Sequence, residues 1–588
     1  MEQFKKILPP VIRNNFFFAT WNFILIIAYV NIFQVLFGAE NSIAGVIFTI
    51  MMSASMARDL TGSPVRHLLT QAFVLAGMTL SAFFVTILPP VPSFFINLFT
   101  LFLILYAFTY EYSSHLYFPY ILSYLFLIFI SPATAEQLPR RILGMLFGAV
   151  SIIVYQLCAG HKRAANTANE VLSTIMDYVC SSINAVVEHQ GEAADPAVVR
   201  HKLCELSRTV YERRKKVLCV SEAGFSLIDV GRGLEQFTLL LHELKEPLSD
   251  SDQAFLRKLS DLIKQYRDFL NGKAASLPPL DHSYFNMEWE EPDKLKEVFY
   301  KNLVYIYDRL LHMTDPEKRT HYRRTATSFK IRLMAALDIS PVRFIYAGRI
   351  SLLLAAAALL VQLLQLPHGK WLLFTLASVS LPYADDIPAK AGRRITATLI
   401  GGLVSIAVYT LIPSAAGRTA VMMLSGYISF YFSRYTGTFA CSTIGALGGA
   451  VFMSAFGFSQ IGHVFIIRTG YIAAGILVSL LVNCLIFPFK RETATKQLWE
   501  KYQNLVELLT KVCKYESLDP QLYYNLVIQA HLQEDKISQN AALEGWEQMP
   551  AMLSECRRKV RKAHRFHIEG RDDAPIFSAV YAGGGSKN

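Results

Sequence analysis

Among the arginines in or at the ends of strongly apolar stretches, where charged side chains are costly and rare, five could bind an anion. They are Arg66, Arg141, Arg393, Arg394 and Arg468. A guanidinium can bind a carboxylate through two parallel hydrogen bonds, so these arginines could compensate an organic anion that crosses a membrane. Alternatively, they extend to the lipid–water interface or fix the orientation of the chain. We predict a substrate-binding role for them.

Four acidic residues of the apolar stretches could carry protons: Asp59, Glu111, Asp385 and Asp386. A carboxyl group in a low-dielectric site has a raised pKa and can bind and release a proton near neutral pH. Asp59 and Asp386 could instead form structural ion pairs with neighbouring arginines, and we favour that interpretation for these two.

Small polar residues in one apolar stretch could line a path for a solute. Thr438, Ser442 and Thr443 share this stretch with several glycines, among them Gly445, Gly448 and Gly449. Close packing of helices is the alternative, and it explains the glycines better. Two aromatic runs, 106–112 and 427–435, could stack an aromatic substrate, although an interfacial aromatic belt accounts for them at least as well.

The elements that hold these residues follow from composition. The chain has 588 residues, of which 53% are hydrophobic and 18% charged, with a net charge of +11 and a mean hydropathy of +0.31. Residues 1–159 and 343–488 are nearly free of charge, whereas 160–342 holds 26 basic and 26 acidic residues. The basic excess therefore lies in the apolar blocks, which argues against a nucleic-acid-binding protein.

The two apolar blocks each contain six stretches long enough, or nearly so, to cross a bilayer as helices. They are 16–37, 42–57, 68–89, 92–109, 116–131 and 142–158, followed by 344–366, 370–383, 391–412, 418–433, 437–456 and 463–487. The second and the eighth are short and end in charge. The pattern predicts an all-α polytopic membrane protein.

Four domains follow from this division. Residues 1–159 form a first six-span repeat, 160–342 a cytosolic helical domain, 343–488 a second six-span repeat, and 489–588 a cytosolic helical region with a tail. Basic residues in short loops and flanks number 15 on one side and 5 on the other, which places both termini in the cytoplasm. Arg141 and Arg468 then lie on the outer side, where positive charge is disfavoured.

The two apolar blocks resemble each other. A shift of 327 residues aligns Asp59 with Asp386, Arg66 with Arg393, Arg141 with Arg468 and Gly148 with Gly475. We interpret this as a duplicated unit. Because each copy has an even number of spans, the copies are parallel, and repeats of this kind enclose substrate paths in transporters.

The eight cysteines contain no C-x-x-C pair, and the chain has no G-x-x-x-x-G-K-[ST] or G-x-G-x-x-G motif. We therefore expect no metal, no cofactor and no nucleotide-driven pump. No Ser/His/Asp constellation emerges either, so we expect that the protein is not an enzyme.

The stretch from Trp371 to Pro382, followed by Lys390-Ala-Gly-Arg-Arg-Ile and Gly401-Gly402, is similar to the signature of the fusaric acid resistance superfamily, which includes aromatic acid exporters. The resemblance implies export of amphipathic organic anions, driven by the proton gradient. The first repeat departs from the signature, since Ala44 aligns with Trp371 and His67 with Arg394.

The main hypothesis is a secondary transporter of the plasma (inner) membrane that exports organic, including aromatic, carboxylates with proton coupling. A passive gated anion channel is one alternative, and a membrane-tethered scaffold or sensor is another. The expected partners are a small organic anion, the lipid bilayer and, as an option, further copies of the chain.

Overall fold

The computed structural model describes fourteen stretches of the chain. They are residues 10–55, 64–109, 116–160, 163–188, 195–212, 221–244, 248–278, 280, 294–314, 340–412, 414–432, 434–453, 461–513 and 520–569. The described residues are almost entirely helical and contain no β-strand. They divide into two compact units.

The first unit comprises residues 1–57, 64–156 and 339–494. Its helices before the central charged block are α1 (Pro10–Phe37), α2 (Ser42–Ser55), α3 (Pro64–Ile87), α4 (Pro90–Phe108), α5 (Tyr117–Phe129) and α6 (Leu138–Gly160). Those after it are α12 (Pro341–Leu363), α13 (Lys370–Val379), α14 (Ile387–Leu411), α15 (Ala415–Ser429), α16 (Tyr435–Met453) and α17 (Ile461–Leu480).

Seven of these segments are long and apolar enough to cross a membrane: Phe16–Phe37, Pro64–Ile87, Pro90–Phe108, Leu138–Cys158, Pro341–Leu363, Ala384–Leu411 and Ile461–Ile486. Three shorter apolar helices lie at Ala39–Met52, Tyr117–Phe129 and Lys370–Val379. The chain is thus an all-helical polytopic membrane protein, as the sequence predicts, while twelve complete spans and two repeats stay a prediction.

The predicted eighth span is a broken helix. Helix α13 has only 10 residues, about 15 Å of length, which is half of the hydrocarbon thickness of a bilayer. The chain then runs as irregular backbone to a 3₁₀ turn at Ala384–Asp386. The break coincides with Pro382, because a proline disfavours helical conformation in the residue before it. Irregular backbone at membrane depth must be enclosed by protein.

Arg349 of α12 encloses this break. Its side chain is 6% exposed, and Nη2 donates to the carbonyl oxygens of Leu381 at 2.7 Å and Pro382 at 3.0 Å. Nη1 donates to the carbonyl of Phe487 at 3.1 Å, after the π-helical end of α17. A cation beside a helix C-terminus also opposes the negative end of the helix dipole. Arg349 therefore stabilises the irregular backbone that follows α13 and the irregular backbone that follows the π-helical end of α17.

The second unit comprises residues 58–63, 157–338 and 495–588. Its described helices are α7 (Arg163–Val187), α8 (Pro196–Glu212), α9 (Glu222–Glu243), α10 (Asp250–Leu270), α11 (Lys294–Thr314), most of α18 (Arg491–Val512), α19 (Pro520–Glu544) and α20 (Met549–Glu569). Helices α7 to α11 share one apolar core that includes Leu172, Leu203, Phe237 and Phe299.

Candidate anion-binding site

Two arginines of the first unit are buried in helices that pack against each other. Arg394 of α14 is 6% exposed and Arg468 of α17 is 7% exposed. Arg393 is exposed, because adjacent residues of an α-helix point about 100° apart. Of the two neighbouring arginines in the sequence motif, only Arg394 therefore faces the interior.

The packing of α14 on α17 brings the two arginines to similar depths. Ile387 and Ala391 of α14 share a core with Ile472 and Ile476 of α17, and a Cβ added at Gly402 would overlap the Phe465 ring. The two helices therefore run antiparallel. At 1.5 Å of rise per residue, this pairing separates the Cα atoms of the two arginines by about 2–8 Å along the helix axes.

An aromatic ring lies under each guanidinium. The Cζ atom of Arg394 is 4.6 Å from the ring centre of Phe439 on α16, and that of Arg468 is 5.5 Å from the ring centre of Trp371 on α13. A cation over an aromatic face is attracted by the ring quadrupole. The two-arginine site is hereafter defined as Arg394, Arg468, Phe439 and Trp371.

Both guanidiniums have a buried N–H group without an acceptor among the described residues. Arg468 makes no hydrogen bond and no ion pair with any residue that the structure describes, and its Nε is sealed from solvent without an acceptor. The Nε of Arg394 is likewise buried and unpaired, while its guanidinium interacts with the hydroxyl of Tyr435. Buried cations are normally paired, so the two guanidiniums are suited to bind an anion.

The charges around the site also favour binding of an anion. The positive charge of Arg394 acts on Arg468, and within the described chain no carboxylate interacts with either guanidinium. Two like charges in surroundings of low dielectric repel each other strongly.

Lys390 extends the array of cations by one helical turn. It precedes Arg394 by four residues and is therefore on the same face of α14. Its Nζ is 5.7 Å from the ring centre of Tyr435, and Tyr435 precedes Phe439 by four residues on α16, with the two rings stacked at 4.1 Å. Two parallel helices thus set a row of cations against a row of aromatic rings.

Arg141, which the sequence aligns with Arg468, has a different environment. It is 2% exposed, and its Nη1 donates to the carbonyl of Ser131 at 2.9 Å. Its Nη2 donates to the carbonyl of Glu40 and to Ser131 Oγ, both at 3.0 Å. The guanidinium therefore joins two chain segments of the first unit through its two Nη groups, although its Nε is buried without an acceptor, as in Arg468.

The predicted proton carriers in the described chain are Asp385 and Asp386. Asp386 Oδ1 forms an ion pair with the guanidinium of Arg491 at 2.5 Å, and Asp385 Oδ2 accepts the backbone N–H of Arg491 at 2.8 Å. Both carboxylates therefore hold the beginning of α18, as expected of structural acids near a helix N-terminus. Asp59 and Glu111 lie outside the described residues.

The remaining predicted residues are distributed as follows. Arg66 is exposed near the start of α3, and Ser442 is exposed on α16. Thr438 is half-buried and donates to the carbonyl of Phe432 at 3.1 Å. Thr443 is 1% exposed and donates to the carbonyl of Phe439 at 2.8 Å. All of them stay predictions as site residues.

Thr443 also takes part in close helix packing. A Cβ added at Gly401 of α14 would lie 2.8 Å from Thr443 Cβ and 2.5 Å from the carbonyl oxygen of Ala440. Small residues thus allow α14 and α16 to approach, which brings Arg394 over Phe439. The glycines of this region position the site.

The second unit contains a separate set of buried charges. Glu534 of α19 accepts hydrogen bonds from Arg200 Nε at 2.9 Å and from Arg557 Nε at 2.7 Å. Burial alone would raise the pKa of Glu534, but the two guanidiniums lower it below its ordinary value. Glu235 also pairs with Arg200, at 3.2 Å. These charges neutralise one another, so they need no ligand.

Residues 355–482 match the family model described as fusaric acid resistance protein-like. This stretch is therefore similar to fusaric acid resistance proteins. The family resemblance predicted from the sequence is thereby confirmed, and the family is one of membrane transporter-like proteins. The segment contains all four residues of the two-arginine site, whereas Arg141 lies outside it.

The chain is also similar to the inner membrane protein YccS of Escherichia coli (strain K12). The two are 28% identical over 102 residues, which are 17% of this chain and 14% of that protein. The match therefore spans a small part of the relative's length. No solved structure matches the chain.

Sequence reasoning identified both arginines of the site but not their aromatic partners. Trp371 and Lys390 both lie in the stretch that resembles the family signature. The available signal was periodicity, because Lys390 and Arg394 on one helix and Tyr435 and Phe439 on another are each four residues apart. The sequence does not show that the cations of α14 lie against the rings of α16, because this contact depends on how the two helices pack.

Proposed function

We propose that the chain is an inner-membrane transporter that exports organic carboxylates, aromatic acids among them, through the two-arginine site. The observation that supports this most is the guanidinium of Arg468, buried and without an acceptor in the described part of the chain. A carboxylate would satisfy it by two charge-assisted hydrogen bonds, and the rings of Trp371 and Phe439 would surround an apolar substrate body.

Lys390, Arg394 and Arg468 give such an anion successive positions. With both termini in the cytoplasm, α14 begins at the inner side, so Lys390 comes first and Arg394 one turn deeper. Because α17 packs antiparallel to α14, Arg468 comes after Arg394 in the outward direction. Broken helices such as α13 frequently line substrate sites of transporters, which supports the same assignment.

We further propose that the first unit consists of two parallel six-span repeats. Two contacts support this, because they join equivalent positions of the two copies when one copy is shifted by 327 residues. A Cβ at Gly148 would overlap the Phe48 ring, and one at Gly475 would lie 3.0 Å from Thr375 Cβ. The copies would then differ in function, with Arg141 structural and Arg468 binding the substrate.

A passive anion channel is the second candidate. It is favoured by the contacts of Asp385 and Asp386 with Arg491, because both carboxylates then have a structural role. Proton coupling, as proposed for the exporter, would require Asp59, Glu111 or release of Asp386 from its ion pair.

Transport in proteoliposomes tests the proposal. Vesicles containing the purified protein are loaded with a radiolabelled aromatic carboxylate such as benzoate, and efflux is followed with and without a proton ionophore. Arg468→Gln and Arg394→Gln are each expected to lower the efflux rate at least about tenfold, since each removes charge-assisted hydrogen bonds to the anion. Arg393→Gln, on the exposed face of α14, is the matched control and is expected to retain efflux within about twofold.

Efflux that stops with the ionophore supports the exporter, and efflux that continues supports the channel. Equal losses in Arg393→Gln and Arg468→Gln would contradict a role specific to the buried arginines. Absence of transport by the wild-type protein, with correct insertion into the vesicles, would favour the scaffold or sensor hypothesis.

A further inference from the structure

The charge count of the two-arginine site constrains its ligand beyond the class of organic anions. Both guanidiniums are more than nine-tenths buried, and no carboxylate among the described residues compensates either of them. A ligand with one negative group would neutralise one guanidinium. The second would stay charged in surroundings where an uncompensated charge is costly.

The directions from which each guanidinium can be approached are also limited. One face of Arg394 lies on Phe439 and one face of Arg468 lies on Trp371. The hydroxyl of Tyr435 takes part of the Arg394 edge, and the other N–H groups remain for a ligand; a guanidinium edge holds one carboxylate in a bidentate manner. The two rings are on different helices, α16 and α13, so each guanidinium packs on a ring of its own.

The spacing of the two arginines suits a single small molecule. The antiparallel packing of α14 on α17 separates the arginine Cα atoms by about 2–8 Å along the helix axes. A molecule with two acidic groups on non-adjacent positions of one ring, or on a short chain, spans such an offset. Two independent monoanions would instead repel each other at this distance.

We propose that the two-arginine site binds organic dianions, one acidic group to each guanidinium, in preference to monoanions of the same size. This inference rests on the proposed function, because it assumes that the site holds the transported anion. It assigns Arg394 and Arg468 to the two ends of one ligand, with Trp371 and Phe439 beside its body.

Paired compounds test the inference. Isophthalate carries two carboxylates, whereas its monoamide has nearly the same size and shape and a single charge. Binding of each to the detergent-solubilised full chain is measured by calorimetric titration at pH 7.5, and transport of each is measured in proteoliposomes. Isophthalate is expected to bind the wild-type protein at least about tenfold more tightly, because it gains one set of charge-assisted hydrogen bonds.

The arginine variants locate the effect. In Arg394→Gln and in Arg468→Gln, the preference for isophthalate over the monoamide is expected to fall below about twofold, while the monoamide still binds. Arg393→Gln is expected to keep the full preference, and Arg468→Lys, which keeps the charge, to keep most of it. Loss of preference in Arg393→Gln as well would overturn the assignment to the buried pair.

The comparison of isophthalate with its monoamide in the wild-type protein does not depend on the folding of any variant. It also distinguishes the dianion preference from the proposed transport function. Equal affinity for isophthalate and its monoamide, with transport of both, would overturn the dianion preference and leave the proposed transport intact. Failure of both compounds to bind and to be transported would overturn the proposed function and the dianion preference together.

Discussion

Arg141 and Arg468 are aligned in sequence and almost equally buried, but the structure predicts opposite effects of their removal on stability. In Arg141→Gln the protein loses the three hydrogen bonds to Ser131 and Glu40. A hydrogen bond to a charged group contributes about 1.5–3 kcal/mol. The glutamine amide can restore one of them, so we expect a loss of roughly 3–5 kcal/mol in the free energy of unfolding.

Arg468→Gln removes no hydrogen bond to any residue in the described part of the chain. It forfeits the attraction to Trp371, which is about 0.5–2 kcal/mol. It also removes an unpaired buried cation, whose desolvation costs several kcal/mol, and its repulsion by Arg394. The variant is therefore expected to be as stable as the wild type or more stable, by up to about 2 kcal/mol.

Thermal unfolding in lipid nanodiscs, followed by tryptophan fluorescence, measures both effects. At roughly 2–4 °C per kcal/mol for a domain of this size, Arg141→Gln should lower the apparent Tm by roughly 6 °C or more. Arg468→Gln should leave it unchanged or raise it. Equal destabilisation by the two substitutions would refute the reasoning, since it would show that Arg468 has internal partners as Arg141 does.

Three further predictions concern packing and the second unit. Gly402→Ala should destabilise the first unit by about 1–3 kcal/mol, because its Cβ would overlap the Phe465 ring, while Gly392→Ala, with open space around it, should be neutral or stabilising in the same thermal assay. Glu534→Gln should destabilise the second unit by about 3 kcal/mol, since it removes the buried carboxylate that pairs with both Arg200 and Arg557; unchanged amide hydrogen exchange in α20 would contradict this. Burial and nearby guanidiniums lower the pKa of His531 well below its ordinary value, so the unfolded state binds a proton first and stability should fall as pH drops below about 6.5. His531→Asn should lessen that fall between pH 6.5 and 5, and an unchanged slope in pH-dependent hydrogen exchange of α19 would disprove the assignment.

The apolar pattern predicted where the membrane helices lie, because burial in lipid requires long apolar stretches with paired backbones. It did not predict that α13 ends at Val379, although Pro382 was a usable signal. Nor did it predict the role of Arg349. The carbonyl groups that this arginine binds become available only when α13 and α17 end near each other, which is a tertiary property.

The sequence predicted which residue types form the site, but it did not predict that Arg141 and Arg468 would have different surroundings. Arg141 and Arg468 align at one shift, so sequence alone treats them equally. Their difference comes from the backbone carbonyls of Glu40 and Ser131, which reach Arg141 through packing between distant segments. The pairing of Arg394 with Phe439 likewise depends on the close approach of α14 and α16 at Gly401.

The most direct test of the central claim is a structure determined with a heavy-atom-labelled substrate. Crystals or lipid-embedded samples would be prepared with 5-iodoisophthalate, and the iodine would be located by anomalous scattering or by its density. The account predicts the label between α13, α14, α16 and α17, with a carboxylate within hydrogen-bonding distance of Arg394 or Arg468. A label bound elsewhere, for example at Arg141 or in the second unit, while the two buried guanidiniums stay unoccupied in a protein that transports the compound, would contradict it.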